Sequence, residues 1–342
     1  MTLKSAIVSL AHHSGVLSAC RWGAVRLDQL NKRLELLPQL ERGTLILVFR
    51  RIVREDNPFQ PGTPIRVFDE VCSHLARHYD VVSLDELEAR RLSRRPPSAA
   101  VAITFDDGYA DNYTFALPVL RRHGLPATVF ITTGCMEGRQ LLWTSRLGFI
   151  LEHGTVPEDE PVRVLGRRRP LHTRALRLEA LRLLEQELKE TDRVEREEVL
   201  LDLSEKLGVE DFSGLQGEML TWEQLADMER HGVTAGGHTV SHPVLSREPL
   251  PQIRSELEGC KEELEARLGH PVQLFAYPNG GPSDYNLEVM DEVRRVGYRL
   301  ACTMQVGANT TAINAYELRR ASVDATRGPE IALQLERFFY LT

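Results

Sequence analysis

Short apolar runs and stretches of helical periodicity take turns along most of this 342-residue chain, and that alternation leaves few folds open. Each apolar run reads as a strand and each periodic stretch as the helix that covers it, which points to a largely parallel sheet or barrel with helices outside. Leu45 to Val48 is the first such strand. Phe68, Val71 and Leu75 then recur at helical spacing as far as His78, and Tyr79 to Ser83 turns β-branched. Ala99 to Phe105 is the next apolar run, followed by a helix over Tyr113 to His123 that Gly124 stops, and by a strand over Ala127 to Thr132. Thr221 with Gln224 makes a capping box for a helix ending near His231, with Gly232 at its C-terminal position and Val233 to Ala235 as the strand beyond. Two more rounds follow. Ile253, Leu257, Cys260, Leu264 and Leu268 share a helical face closed by Gly269 and precede a strand over Val272 to Ala276. Val289, Met290, Val293 and Val296 mark a helix ended by Gly297, before a strand-like stretch from Tyr298 to Thr303.

The rhythm breaks between about residues 143 and 218, where the Leu-, Arg- and Glu-rich segment Thr173 to Gly208 reads as two helices with no strand. That segment is expected to be an insertion in a barrel spanning 45–342, with 1–44 forming a helical extension. Arg167, Arg168 and Arg169 within it read as a solvated charged surface rather than a face for an anionic substrate.

Composition narrows the partners. Forty-nine Asp+Glu against 42 Lys+Arg give a mildly acidic chain without the positive excess that phosphate backbones attract, so nucleic acid is not expected. Cys20, Cys72, Cys135, Cys260 and Cys302 are scattered and show no C-x-x-C spacing, which fits buried free thiols better than disulfides or a thiolate zinc site. The apolar stretch Ala6 to Ala11 is brief and weakly flanked for a secretory signal, and charges interrupt Met1 to Leu27 before any spanning length is reached. A cytoplasmic location without a transmembrane segment is the expectation, with peripheral membrane contact left open.

Chemistry concentrates at two places. Thr104-Phe105-Asp106-Asp107-Gly108-Tyr109 sets adjacent carboxylates at the end of a buried strand, where their charge is costly unless a cation uses it. Consecutive side chains diverge there, so one carboxylate can bind a metal while its neighbour points toward substrate or water, and Gly108 permits a sharp exit. His238-Thr239-Val240-Ser241-His242 sets two imidazoles four positions apart, able to converge on one ion if the segment is helical or tightly looped. One carboxylate and two imidazoles leave coordination open for water, as hydrolytic zinc requires.

These two motifs, in this order, resemble the first two motifs of the polysaccharide deacetylase, or NodB-homology, family, and Ala276-Tyr277-Pro278-Asn279-Gly280 is similar to a variant of the third. The resemblance implies a distorted (β/α) barrel with seven strands that removes acetyl groups from an N-acetylated saccharide, in cell-surface or exopolysaccharide metabolism, with one divalent ion, zinc by preference. It implies Asp106 as catalytic base, Asp107, His238 and His242 as metal ligands, and the backbone N–H of Asn279 as a donor to the oxyanion. The family's third motif usually opens with an arginine that orients the base, and here Ala276 stands in that place. Arg320, or its neighbour Arg319, is the candidate to supply the missing guanidinium from another strand. Neither histidine that relatives use as proton donor is evident, and Arg50 occupies the first-strand position where one branch carries His. Tyr109, Trp143 and Tyr277 are candidates for a stacking floor under a sugar ring. Two other readings stay open: a carbohydrate-binding barrel that has lost turnover, and a metal-dependent amidase for a small non-sugar amide.

Overall fold

The computed structural model describes residues 43–93, 100–156, 161–324 and 328–339. The chain divides into Met1–Glu41 and Arg42–Thr342, and the second unit carries the fold. The expected helical extension, the Ala6 to Ala11 stretch and Cys20 lie outside the described residues; of 1–44 only Gly43 and Thr44 are described, and Thr44 already pairs with Asn309.

The strands are β1 (Leu45–Phe49), β2 (Ile52–Val53), β3 (Thr63–Pro64), β4 (Asp80–Val81), β5 (Ala100–Phe105), β6 (Ala127–Ile131), β7 (Val162–Val164), β8 (Arg167–Arg169), β9 (Val233–Gly237), β10 (Leu274–Ala276) and β11 (Leu300–Cys302). The main sheet runs β1-β5-β6-β9-β10-β11 with every pair parallel, and β4 joins the start of β5. Its two edges are bridged. The Leu318 N–H donates to Ala301 O at 3.0 Å and its carbonyl accepts from Thr303 N at 2.8 Å, while Ala321 exchanges hydrogen bonds with Ile46 O and Val48 N on β1 at 2.9 and 3.0 Å. The six strands of that order and β4 make the seven of the sheet, and residues 318–321 join its two edges through isolated bridges.

Side chains alternate across the sheet as the two-residue period demands. Leu45, Leu47, Phe49, Val101, Ile103 and Phe105 pack with Phe68, Val71 and Leu75 of the helix Ile65–His78, whereas Ile46, Ala102, Phe130, Ala276, Cys302 and Leu318 belong to a second apolar cluster. Glycine ends the helices Leu117–His123, Leu250–Leu268 and Leu287–Val296 at left-handed positions 124, 269 and 297, and the Thr221–Gln224 capping box opens Trp222–Arg230. Cys72, Cys135, Cys260 and Cys302 are free and buried.

Three expectations need adjustment. The strand expected over Tyr79 to Ser83 shrinks to β4, because the Ser83 hydroxyl caps the next helix by accepting from Glu86 N at 3.2 Å. The helix expected from Tyr113 opens instead with a wide turn over Asn112–Ala116, since Pro118 has no N–H to bond back one turn. The insertion holds a strand pair that was not expected: β7 and β8 form an antiparallel hairpin around Leu165 and Gly166, both at positive φ. An all-arginine β8 carries no apolar alternation to betray it. Arg167 and Arg169 pair with Glu187 of the insertion's own helix Arg174–Leu188. The helices Trp143–His153, Arg174–Leu188 and Arg193–Lys206 bury Leu147, Leu151, Leu184, Leu200 and Leu203 in a separate core. Among the described residues no helix is long and apolar enough to cross a membrane.

Gly237, the last residue of β9, has no room for a side chain: an added Cβ would stand 2.3 Å from Tyr298 Oη. Gly237→Ala should destabilise the protein by about 1–3 kcal/mol through overpacking, read as a lower denaturation midpoint in urea. An unchanged midpoint would show that this contact relaxes at no cost.

Candidate active site

The end of β5 delivers the carboxylates. Asp106 continues the alternation that places Thr104 on the inner face, and Asp107 then turns into the left-handed region at φ 75°, followed by Gly108 at 85°. The side chains diverge as expected, and each meets its own arginine. Arg320 is fully buried and grips Asp106 with both ends of its fork: Nη1 donates to Oδ1 at 2.6 Å and Nη2 to Oδ2 at 2.8 Å. Its Nε donates to Thr303 O at 2.9 Å, so the guanidinium is fixed from behind. Burial alone would ease the proton off Arg320, but Asp106 outweighs it and holds the guanidinium above its ordinary pKa. Arg319 uses its backbone on Asn309 instead.

Arg50, just past β1, donates from Nε to Asp107 Oδ2 at 2.6 Å, which leaves Oδ1 for other partners. Asp107 Oδ1 lies 3.3 Å from His238 Nε2 and 3.2 Å from His242 Nε2, with all three residues buried. The histidine segment is a loop, not a helix: Thr239 and His242 both take positive φ, at 70° and 57°. Its backbone is tied down by Glu256, whose carboxylate accepts from Val240 N at 2.9 Å, Ser241 N at 2.8 Å and Ser241 Oγ at 2.6 Å. His238 Nδ1 lies 2.7 Å from Ala276 O, an acceptor only, so the proton is assigned to Nδ1 and Nε2 is left with a lone pair. Burial keeps His242 below the usual imidazole pKa despite the pull of Asp107. Burial would also raise Asp107, yet Arg50 and then His242 hold its carboxyl well below the ordinary range.

A carboxylate oxygen and two imidazole nitrogens, mutually within 4.8 Å, thus face a common point. Asp107 Oδ1 has no hydrogen-bond donor, and the proton of His238 is engaged elsewhere. A buried acceptor left without a donor is costly, and a divalent cation would satisfy Asp107 Oδ1 while taking up the lone pair of His238 Nε2. The donor set fits the zinc expected from the sequence.

Other candidate residues fall as follows. Asn279 adopts φ 61°, which turns the Pro278–Gly280 loop sharply, and among the described residues its backbone N–H donates no hydrogen bond. The stacking floor is not formed. Tyr277 is fully buried, stacked on Tyr285 at 4.4 Å, and donates to Tyr316 O at 3.0 Å. Trp143 belongs to the insertion core, with the Arg196 guanidinium 5.0 Å from its ring. Tyr109 is 2% exposed, its hydroxyl 3.1 Å from Ser145 Oγ, and burial pushes its phenol up to about 12. All three rings are spent on packing, so none offers a free face to a sugar. Glu256 was missed by sequence reading, although it sits between Ile253 and Cys260 on the apolar face of Leu250–Leu268. A lone carboxylate on such a face is the signal that could have found it.

A parallel (β/α) barrel thus gathers a carboxylate pair and two histidines at its strand ends, and the comparisons name a family with this fold. Residues 93–301 match the polysaccharide deacetylase family, to which the chain belongs. YxkH of Bacillus subtilis (strain 168), a curated relative named for the same family, is 23% identical over 230 residues, which cover 67% of this chain and 53% of that protein. The chain thus spans about half the length of that relative. Among solved structures, the Streptococcus pyogenes deacetylase PplD in complex with acetate aligns with a TM-score of 0.58 and 19% identity, over 86% of this chain and 97% of that one. IcaB from Ammonifex degensii aligns with a TM-score of 0.56 and 18% identity, again over 86% and 97%. These likenesses establish the fold.

The Asp106–Arg320 pair invites a double-mutant cycle. Arg320→Ala should cost about 3–5 kcal/mol, because it strands a buried carboxylate. Asp106→Asn combined with the same Arg320→Ala should cost clearly less than the sum of the two single changes. Additive losses in chemical denaturation would show that the two side chains do not interact.

Proposed function

We propose that the chain is a metal-dependent hydrolase that removes N-acetyl groups from a saccharide of the cell surface or an exopolysaccharide. The observation that carries this reading is the convergence of Asp107 Oδ1, His238 Nε2 and His242 Nε2 on one point beside Asp106. The matched family supports the substrate class. Asp107, His238 and His242 would hold the ion, which when bound supplies Lewis acidity to a water and to the acetyl carbonyl. Asp106 accepts the proton of the attacking water. Arg320 fixes the direction of that carboxylate with both ends of its fork, the task the resemblance assigns to an arginine at position 276. The Asn279 N–H donates to the oxygen that gains charge as the acetyl carbon becomes tetrahedral. Glu256 and Ala276 O act through the histidines, the first by fixing the loop and the second by fixing the His238 tautomer.

The readings as an inert binding barrel and as an amidase for small amides are separated from this one by a single set of assays. Zinc content and acetate release from N-acetylated oligosaccharides should both be present in the wild type and both be lost in His238→Ala and His242→Ala. Asp106→Asn should keep its zinc while acetate release falls by about a hundredfold or more, since an amide cannot take the proton. Zinc retained in both histidine variants, or near-normal turnover by the Asn variant, would overturn the assignment.

A further inference from the structure

The Arg50 side chain is 45% exposed, yet the chain on either side of it is held from several directions. Its backbone carbonyl accepts from Asn112 Nδ2 at 2.8 Å, and Ile52 N donates to Asp111 Oδ1 at 3.0 Å. Between them Arg51 is clamped, with Nε on Asp111 Oδ2 at 2.9 Å, Nη1 on Glu218 Oε1 at 2.8 Å and its guanidinium 4.7 Å from the Tyr109 ring centroid. Asn112 is fully buried and Asp111 and Glu218 nearly so, which leaves the segment 50–52 little freedom. The Arg50 side chain is thereby aimed at Asp107, donating to Oδ2 through Nε at 2.6 Å with Nη2 ion-paired to the same oxygen.

Two consequences follow for a cation at Asp107, His238 and His242. First, with Oδ2 taken, Asp107 has only Oδ1 to offer, so it serves as a one-oxygen ligand. Second, each of the two carboxylates is paired with a guanidinium before any ion arrives: Asp106 with Arg320 and Asp107 with Arg50. A dication held by Asp107 Oδ1 would share that carboxylate with a guanidinium already paired to its other oxygen.

Resting on the metal-centre reading above, we propose that Arg50 is a positioning residue that makes Asp107 a one-oxygen ligand and, by its charge, weakens the centre's hold on the cation while strengthening its hold on anions. The protein trades metal affinity for a more electron-poor ion. Acetate, the anionic product, is the ligand that gains. Repulsion between a dication on Oδ1 and the guanidinium on Oδ2 of the same carboxylate is the larger effect; the loss of one orienting contact on Asp107 is the smaller.

The test uses the full chain stripped of metal and titrated with zinc against a chromophoric chelator, in wild type, Arg50→Gln and Arg50→Lys, with acetate binding measured on the zinc-loaded forms. Gln keeps a donor but removes the charge, and Lys restores the charge. Arg50→Gln should bind zinc on the order of tenfold more tightly and acetate several-fold more weakly, and Arg50→Lys should return both toward the wild type. Unchanged or weaker zinc binding in Arg50→Gln, with the wild type still binding one zinc that His238→Ala loses, would overturn the role of Arg50 alone. A wild type that binds no zinc would overturn the metal centre itself. Should Arg50→Gln prove unfolded by circular dichroism, the Lys variant decides: a zinc affinity well away from the wild type would contradict control by charge.

Discussion

Two neighbouring carboxylates buried at the end of one strand are the constraint around which this protein is arranged. Neither Asp106 nor Asp107 can hold its charge in the barrel mouth without compensation, and each receives an arginine from a different part of the chain. Arg320 arrives on the segment that bridges β11 and β1, so the same residues that complete the barrel also deliver the guanidinium to Asp106. Arg50 arrives at the end of β1, the strand next to β5. Closure of the fold and charge balance of the site are therefore one event in structural terms.

The histidine loop shows the same economy of position. β9 ends in two glycines because Phe130 and Tyr298 press against it, and the chain then makes two left-handed steps to bring His242 back beside His238. Positive φ at Thr239, a β-branched residue, is strained by itself. Glu256 answers that strain by accepting three hydrogen bonds from the loop, and Ala276 O orients His238. Strain held by a buried anion next to a metal-type donor set is a pattern of function rather than of stability.

Much of this was legible in the sequence. Strand ends, glycine stops and the capping box follow from local chemistry, and the Asp-Asp and His-x-x-x-His motifs marked where charge needed a use. Arg320 could be singled out because position 276 holds alanine, which in the fold lies in the same buried cluster as Cys302 and Leu318. What was not legible depends on packing at a distance. The aromatic floor failed because Tyr109, Trp143 and Tyr277 each found a buried partner in a different part of the fold. The β7–β8 hairpin was hidden because an arginine run has no apolar alternation. Arg50 was seen only as a missing histidine, since nothing local reveals that Asp111, Asn112 and Glu218 would aim it at Asp107.

The most direct test of the account is the position of a bound ion. Crystals of the protein soaked in zinc and measured on both sides of the zinc absorption edge should show one anomalous peak about 2.0–2.2 Å from Asp107 Oδ1, His238 Nε2 and His242 Nε2, with Asp106 outside bonding distance. A peak held by other residues, or no peak between those three atoms at saturating zinc, would contradict the central claim that this donor set exists to hold a cation.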